Sequence, residues 1–127
     1  MGEHVNKESQ ILNAQITSVT LGYGDCGVFS FGLSLYTSDG KHCTFGRYPL
    51  DEYDMKTGKR ICSAHSMRII AEIIETVGVK KWEDCEGKYI RVVSNGNSSE
   101  IKIIGNIIKD QWFDLDEHYC GPWLRLK

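Results

Sequence analysis

From Val28 to Thr37 the chain alternates strictly. Phe29, Phe31, Leu33 and Leu35 interleave with Ser30, Gly32, Ser34 and Tyr36. A period of two with one apolar face predicts a half-buried antiparallel strand. Ser38-Asp39-Gly40-Lys41 follows, and Asp-Gly between two strand patterns predicts a tight hairpin. His42 to Tyr48 then pairs back, with Cys43 and Phe45 on one face, and Pro49 ends it. A weaker alternation from Ile11 to Thr20, with Leu12, Ala14 and Ile16 on one side, predicts a strand ahead of these. Gly22, Gly24 and Gly27 mark a glycine-rich turn between the first two strands.

The period changes after residue 61. Met67, Ile70, Ala71, Ile74 and Val77 fall at helical spacing, with Ile69 and Ile73 widening the stripe. Ser63 suits an N-cap and Gly78 a C-terminal stop, so a helix is expected over about 64–77. Residues 49–61 read as a polar connection, and Lys80 to Cys85 as a single turn planting Trp82 on the core. Lys88–Ser94 and Ile101–Ile108 complete the strands, with Asn95-Gly96-Asn97 as a second hairpin signal and Gly105 as a bulge.

The expected fold is α+β, in the order β-β-β-α-β-β with one main helix. Either a five-stranded antiparallel sheet or an OB-like barrel has that order. At 127 residues the chain fits one domain. Residues 1–10 are polar and read as frayed. Residues 114–127 are too apolar for a linker, and are expected to pack back on the sheet or at an oligomer interface.

Charge and cysteines narrow the chemistry. The formal net charge is −2, against the basic balance that a non-specific nucleic-acid coat requires. The five cysteines are widely spaced and odd in number, without a CxxC pair, which predicts reduced thiols rather than a disulfide framework. No stretch approaches the ~18 apolar residues of a membrane span. The start, MGEHVNKESQ, lacks the apolar run of a secretory signal, so a cytoplasmic protein is expected. Cys62 and His65, with His118 and Cys120, are of zinc-compatible type, but their spacing matches no known finger or ribbon, and no metal or cofactor is expected. Nothing resembles a nucleophile elbow or a catalytic-cysteine signature. His42 and Cys43 are adjacent, so on a strand they point to opposite faces. The residues favour binding over catalysis.

The binding signals are an arginine beside an aromatic, Arg47-Tyr48, and cations around the helix start. Lys56, Arg60 and His65 lie in or near that region, and Lys109 lies in a late loop. Free N–H groups at a helix start and a guanidinium near a ring both suit a nucleotide-sized anion. Trp112 and Phe113, flanked by charges, and Trp123 in the tail suit interface anchors.

Four segments carry a resemblance: LGYGDCGVFSFGLSL, FGRYPLDEY, VGVKKWEDCEGKYIRV and IGNIIKDQWF. They resemble a family of small phage- and prophage-encoded proteins, over about residues 14–114. Members of that family often read Asp-His-Gly where this chain has Asp25-Cys26-Gly27. They are also richer in glycine where this chain has Thr44-Phe45-Gly46-Arg47-Tyr48. The resemblance implies a host-cytoplasmic protein that antagonises antiviral defence, by sequestering a nucleotide immune signal or by blocking a defence protein. A homo-oligomer would suit the first role. Two alternatives stand beside it: an OB-like module for single-stranded nucleic acid in phage replication, and a nucleotide-cleaving enzyme.

Overall fold

The structure is a computed structural model that describes residues 9–24, 27–96 and 98–119. Its strands are β1 (Ser9–Tyr23), β2 (Phe29–Thr37), β3 (His42–Pro49), β4 (Asp51–Asp54), β5 (Lys59–Cys62), β6 (Tyr89–Asn95), β7 (Glu100–Ile101), β8 (Ile103–Gly105) and β9 (Trp112–Asp114). Helix α1 (Ala64–Val77) separates β5 from β6, a 3₁₀ turn (Trp82–Cys85) follows it, and a short helix α2 (Leu115–Tyr119) comes last.

The main sheet has seven strands in the order β7-β3-β2-β1-β6-β8-β9. All its pairings are antiparallel except β3 with β7. The fold is α+β, but the sheet is mixed rather than purely antiparallel. One strand was expected over 101–108; instead it breaks at Lys102. Its first part lies beside β3, and its second part beside β6. β7 and β8 stand far apart in strand order yet only one residue apart in the chain. The sheet therefore curls into a half-barrel, tightened by the Leu115 N–H donating to the Lys102 carbonyl at 2.8 Å.

The alternation of β2 and β3 sets the core. Phe31, Leu33, Leu35, Cys43 and Phe45 point inward and are buried. Aromatic rings cross the interior edge to face: Trp82 with Phe31, Phe31 with Phe45, and Phe45 with Phe113, the centroids 6.0–6.3 Å apart. Each such pair adds about 0.5–1.5 kcal/mol beyond area burial. The turn after β2 is not the two-residue hairpin expected. The Thr37 N–H reaches the Lys41 carbonyl, and Gly40 alone takes the left-handed conformation, at φ +89°. This is a longer turn ending in a glycine bulge.

Helix α1 spans the predicted residues. The Ser63 hydroxyl oxygen accepts the Ser66 N–H at 3.2 Å, and the Gly78 N–H reaches the Ile74 carbonyl at 3.0 Å. Its buried face is rotated from the expected stripe: Ile69, Ile70, Ile73 and Val77 are inside, while Met67 is 61% exposed. The apolar arc offered two frames, and the sheet took the isoleucine-rich one. Residues 49–61 are not a plain connection either. They hold β4 and β5, a two-stranded sheet of its own.

Candidate functional site

The ends of β1, β2 and β3 meet beside the glycine-rich turn. Pairing of Gly22 with Ser30 and Tyr23 with Phe29 carries β1 out to that turn. There Gly24 exchanges backbone contacts with Val28 and Gly27. On the other side of β2, register slips between Ser30 and Gly32: Ser30 lies opposite Pro49, but Gly32 lies opposite Gly46. Arg47 and Tyr48 therefore face the single residue Phe31, which is a β-bulge.

This bulge is strained. Gly46 has φ +99° and Arg47 has φ +66°, the one non-glycine residue with positive φ among the described residues. A Cβ on Gly46 would stand 2.7 Å from Cε2 of Phe31, so the ring fits only over glycine. A Cβ on Gly32 would meet Thr20 Oγ1 at 3.2 Å and Arg47 Cγ at 3.5 Å. The aliphatic stem of Arg47 thus lies across the bare backbone of Gly32. A left-handed non-glycine residue costs on the order of 1–3 kcal/mol and concentrates at ligand sites.

An open cleft of ≈ 800 Å³ lies here, lined by Thr20 to Gly24, Ser30, Phe31 and Arg47. Tyr23 is 73% exposed, and its ring is held edge to face against Phe29 at 5.1 Å. The guanidinium of Arg47 has no hydrogen-bond or ion-pair partner among the described residues. Arg60, Arg68 and Arg91 all have partners. A free guanidinium offers a planar fork to a phosphate or carboxylate, and an exposed tyrosine face accepts a planar ring. Gly22 and Gly24 let backbone come close to a ligand.

Of the predicted ligand residues, only Arg47 lines this cleft. Tyr48 is half-buried and packs against the core. Lys56 is exposed in the β4–β5 turn, where its N–H donates to Asp54 Oδ1. Arg60 is engaged by Asp51 at 2.9 Å and also donates to the Asp51 carbonyl. His65 is half-buried in the first turn of α1, and Lys109 lies in the loop between β8 and β9. The cations sit on separate elements, so linear proximity to the helix start was a poor guide. Phe113 is 2% exposed, a core ring rather than a surface anchor. Trp112 is half-buried against Arg91, its ring centroid 4.6 Å from the guanidinium carbon. Trp123, Cys26 and Cys120 lie outside the described residues, as does the His118 side chain.

Sequence reasoning missed Tyr23, though its place between two glycines was visible. It also missed Asp51, which looked like one more acid in a polar loop. The Asp51 side chain is 3% exposed; it accepts from Arg60 and from the Phe29 N–H at 3.2 Å. The Arg60 hydrogen bond holds its carboxyl below the usual carboxylate range, against the opposing effect of burial. Asp51 thereby fixes the start of β2, next to the cleft. Burial pushes the Cys85 thiol up to about 11, with help from Asp84, and raises Cys43 as well. Both are protonated at neutral pH and poor nucleophiles. Among the described residues, no three His, Cys, Asp or Glu side chains gather as a metal site, and no helix is long and apolar enough to cross a membrane.

No family model, no curated protein and no solved structure matches the chain.

Proposed function

We propose that this chain is a small nucleotide-binding protein, and that the cleft beside Arg47 holds the ligand by its phosphate while Tyr23 stacks on its base. The observation that carries the reading is the Arg47 guanidinium, without a partner among the described residues and held at a strained bulge over Gly32. A fold has no internal reason to keep a left-handed arginine that no described residue engages. A cleft of this size is within the usual range for small-molecule sites. We take the domain as OB-like. The β1–β2–β3 meander precedes α1, and the bent segment after β6 pairs antiparallel with β6 and parallel with β3, which supports that order. With the phage-family resemblance, the role follows as sequestering a nucleotide immune signal in the host cytoplasm.

Calorimetric titration with a panel of mononucleotides, cyclic dinucleotides and ADP-ribose-type compounds tests this. At least one is expected to bind saturably and to be recovered intact after denaturation. Arg47→Ala should weaken it by about 10- to 100-fold, the worth of a charge-assisted hydrogen bond. Absence of binding across the panel sinks the reading. Time-dependent conversion of the compound would point to an enzyme instead.

Single-stranded nucleic acid is the second reading, and the barrel order favours it. Its stacking platform is small, because Phe31 and Phe45 are buried and Phe29 is half-buried. Tight binding of an oligonucleotide, with no free nucleotide bound, would favour it over sequestration.

A further inference from the structure

The β4–β5 arm stands apart from the curled sheet. Its strands pair only with each other, and among the described residues neither outer edge carries another strand. A two-stranded ribbon of this kind is marginal in water by itself. Asp51 anchors its base, but every β5 residue is exposed. Three large apolar side chains stand on the arm: Tyr53, Met55 and Ile61, at 56, 86 and 46% exposure.

Charge on the arm is segregated by strand. β4 reads Asp51-Glu52-Tyr53-Asp54 and β5 reads Lys59-Arg60-Ile61-Cys62. Open strand edges are templates for pairing with another chain, and side chains opposite one another decide which partner is accepted. Two copies joined β4 to β4 about a two-fold axis would oppose carboxylates. Joined β5 to β5, they would oppose Lys59 and Arg60. The acidic strand of one copy against the basic strand of the next puts opposite charges across the new ladder. The hairpin itself uses the same match, with Asp54 opposite Lys59. Register within the hairpin places Glu52, Asp54, Lys59 and Ile61 on one face, away from the Asp51 anchor. Glu52, Lys59 and Ile61 on that face are exposed.

We propose that the arm is a head-to-tail interface between copies of this chain, the β4 edge of one against the β5 edge of the next. Each copy then offers one acidic and one basic edge, and a contact of unlike edges repeats from copy to copy into a ring or an open chain of more than two.

Native mass spectrometry and analytical ultracentrifugation of the purified chain test this. The wild type should assemble beyond a dimer. Glu52→Lys alone and Lys59→Glu alone should each fall to monomer, because each sets like charges across the interface. Mixing the two variants should restore assembly, since each then supplies the charge the other's edge lacks. A wild type that stays monomeric or stops at a dimer overturns the proposal. So does an assembly that survives both charge reversals, or variants that fail to reassemble on mixing.

Discussion

Arg91 and Arg47 lie on strands of the same sheet, on either side of the β1–β2 pair, and the protein uses them in opposite ways. Arg91 donates from Nε to the Asn106 carbonyl and from Nη2 to the Lys109 carbonyl, both at 2.7 Å, and stacks on Trp112. Around it, Asn106 accepts the N–H groups of Ile108 and Lys109 and donates to the Thr76 carbonyl at the end of α1. Trp112 lies so close over Gly105 that a Cβ there would stand 2.4 Å from Cε3. The Arg91 guanidinium, the Asn106 amide and the Trp112 indole N–H of that corner all have partners. Arg47 has the reverse setting, with a strained backbone and no partner among the described residues. Where the fold is the purpose, the guanidinium is engaged on two sides; where it is left bare at a cost in strain, the partner we propose is a ligand.

The largest test of this contrast removes the engaged arginine. Arg91→Ala strips the Asn106 carbonyl of its donor, leaves the Lys109 carbonyl with the Gln111 N–H alone, and bares the Trp112 ring. The expected cost is about 3 kcal/mol, or a melting point lower by about 10 °C, measured by thermal unfolding. If Arg91→Ala is as mild as a surface substitution, the loop is held by Asn106 alone and the contrast weakens.

Gly46→Ala comes next. The new methyl would sit inside contact distance of the Phe31 ring, on a backbone at φ +99°. A loss of about 2 kcal/mol is expected in chemical denaturation, with ligand affinity falling as the bulge shifts. An unchanged midpoint would mean the bulge can relax, and Arg47 would then not be rigidly aimed.

Asp51 joins the cleft to the arm, and its effect is smaller. Its folded pKa is depressed, so its stabilisation is fully present above the ordinary carboxylate value of about 3.9 and is lost as pH falls through the lower folded value. Asp51→Asn should cost about 1 kcal/mol at neutral pH, because Arg60 is partly solvated and the pair is screened. The same variant should flatten the acid limb of the stability curve below that pH. An acid limb identical to the wild type would assign acid unfolding to other carboxylates.

These contrasts also explain what the sequence could and could not tell. Phe31, Leu33, Leu35 and Phe45 were legible as core because alternation is a local signal, and α1 was legible because Ser63 and Gly78 bracket an apolar period. The β4–β5 arm was not: both its strands are charged and β5 is wholly exposed, so neither has an apolar face to alternate. The break at Lys102 was not legible either. It depends on which strand the chain meets after the bend, a long-range choice that no window of residues records. The cleft was half legible. Glycines 22 and 24 and Arg47 each stood out, but what brings them together is the register slip opposite Phe31. Grouping Lys56, Arg60 and His65 with Arg47 by their nearness in sequence overlooked that Arg60 already has a buried carboxylate.

The smallest expected change in stability is the most discriminating. Arg47→Gly removes the side chain that is proposed to bind phosphate and also relieves a non-glycine residue at φ +66°. Glycine adopts that conformation freely, though it brings more chain entropy to the unfolded state. The expected net is a gain of about 0.5 kcal/mol, read as a small rise in the denaturation midpoint. Nucleotide affinity should fall by about 10- to 100-fold in the same protein. Stability and binding then move in opposite directions at one residue, which no structural role for Arg47 produces. If Arg47→Gly instead destabilises the chain by about as much as Arg91→Ala does, Arg47 holds the sheet together, and the two arginines are not opposites.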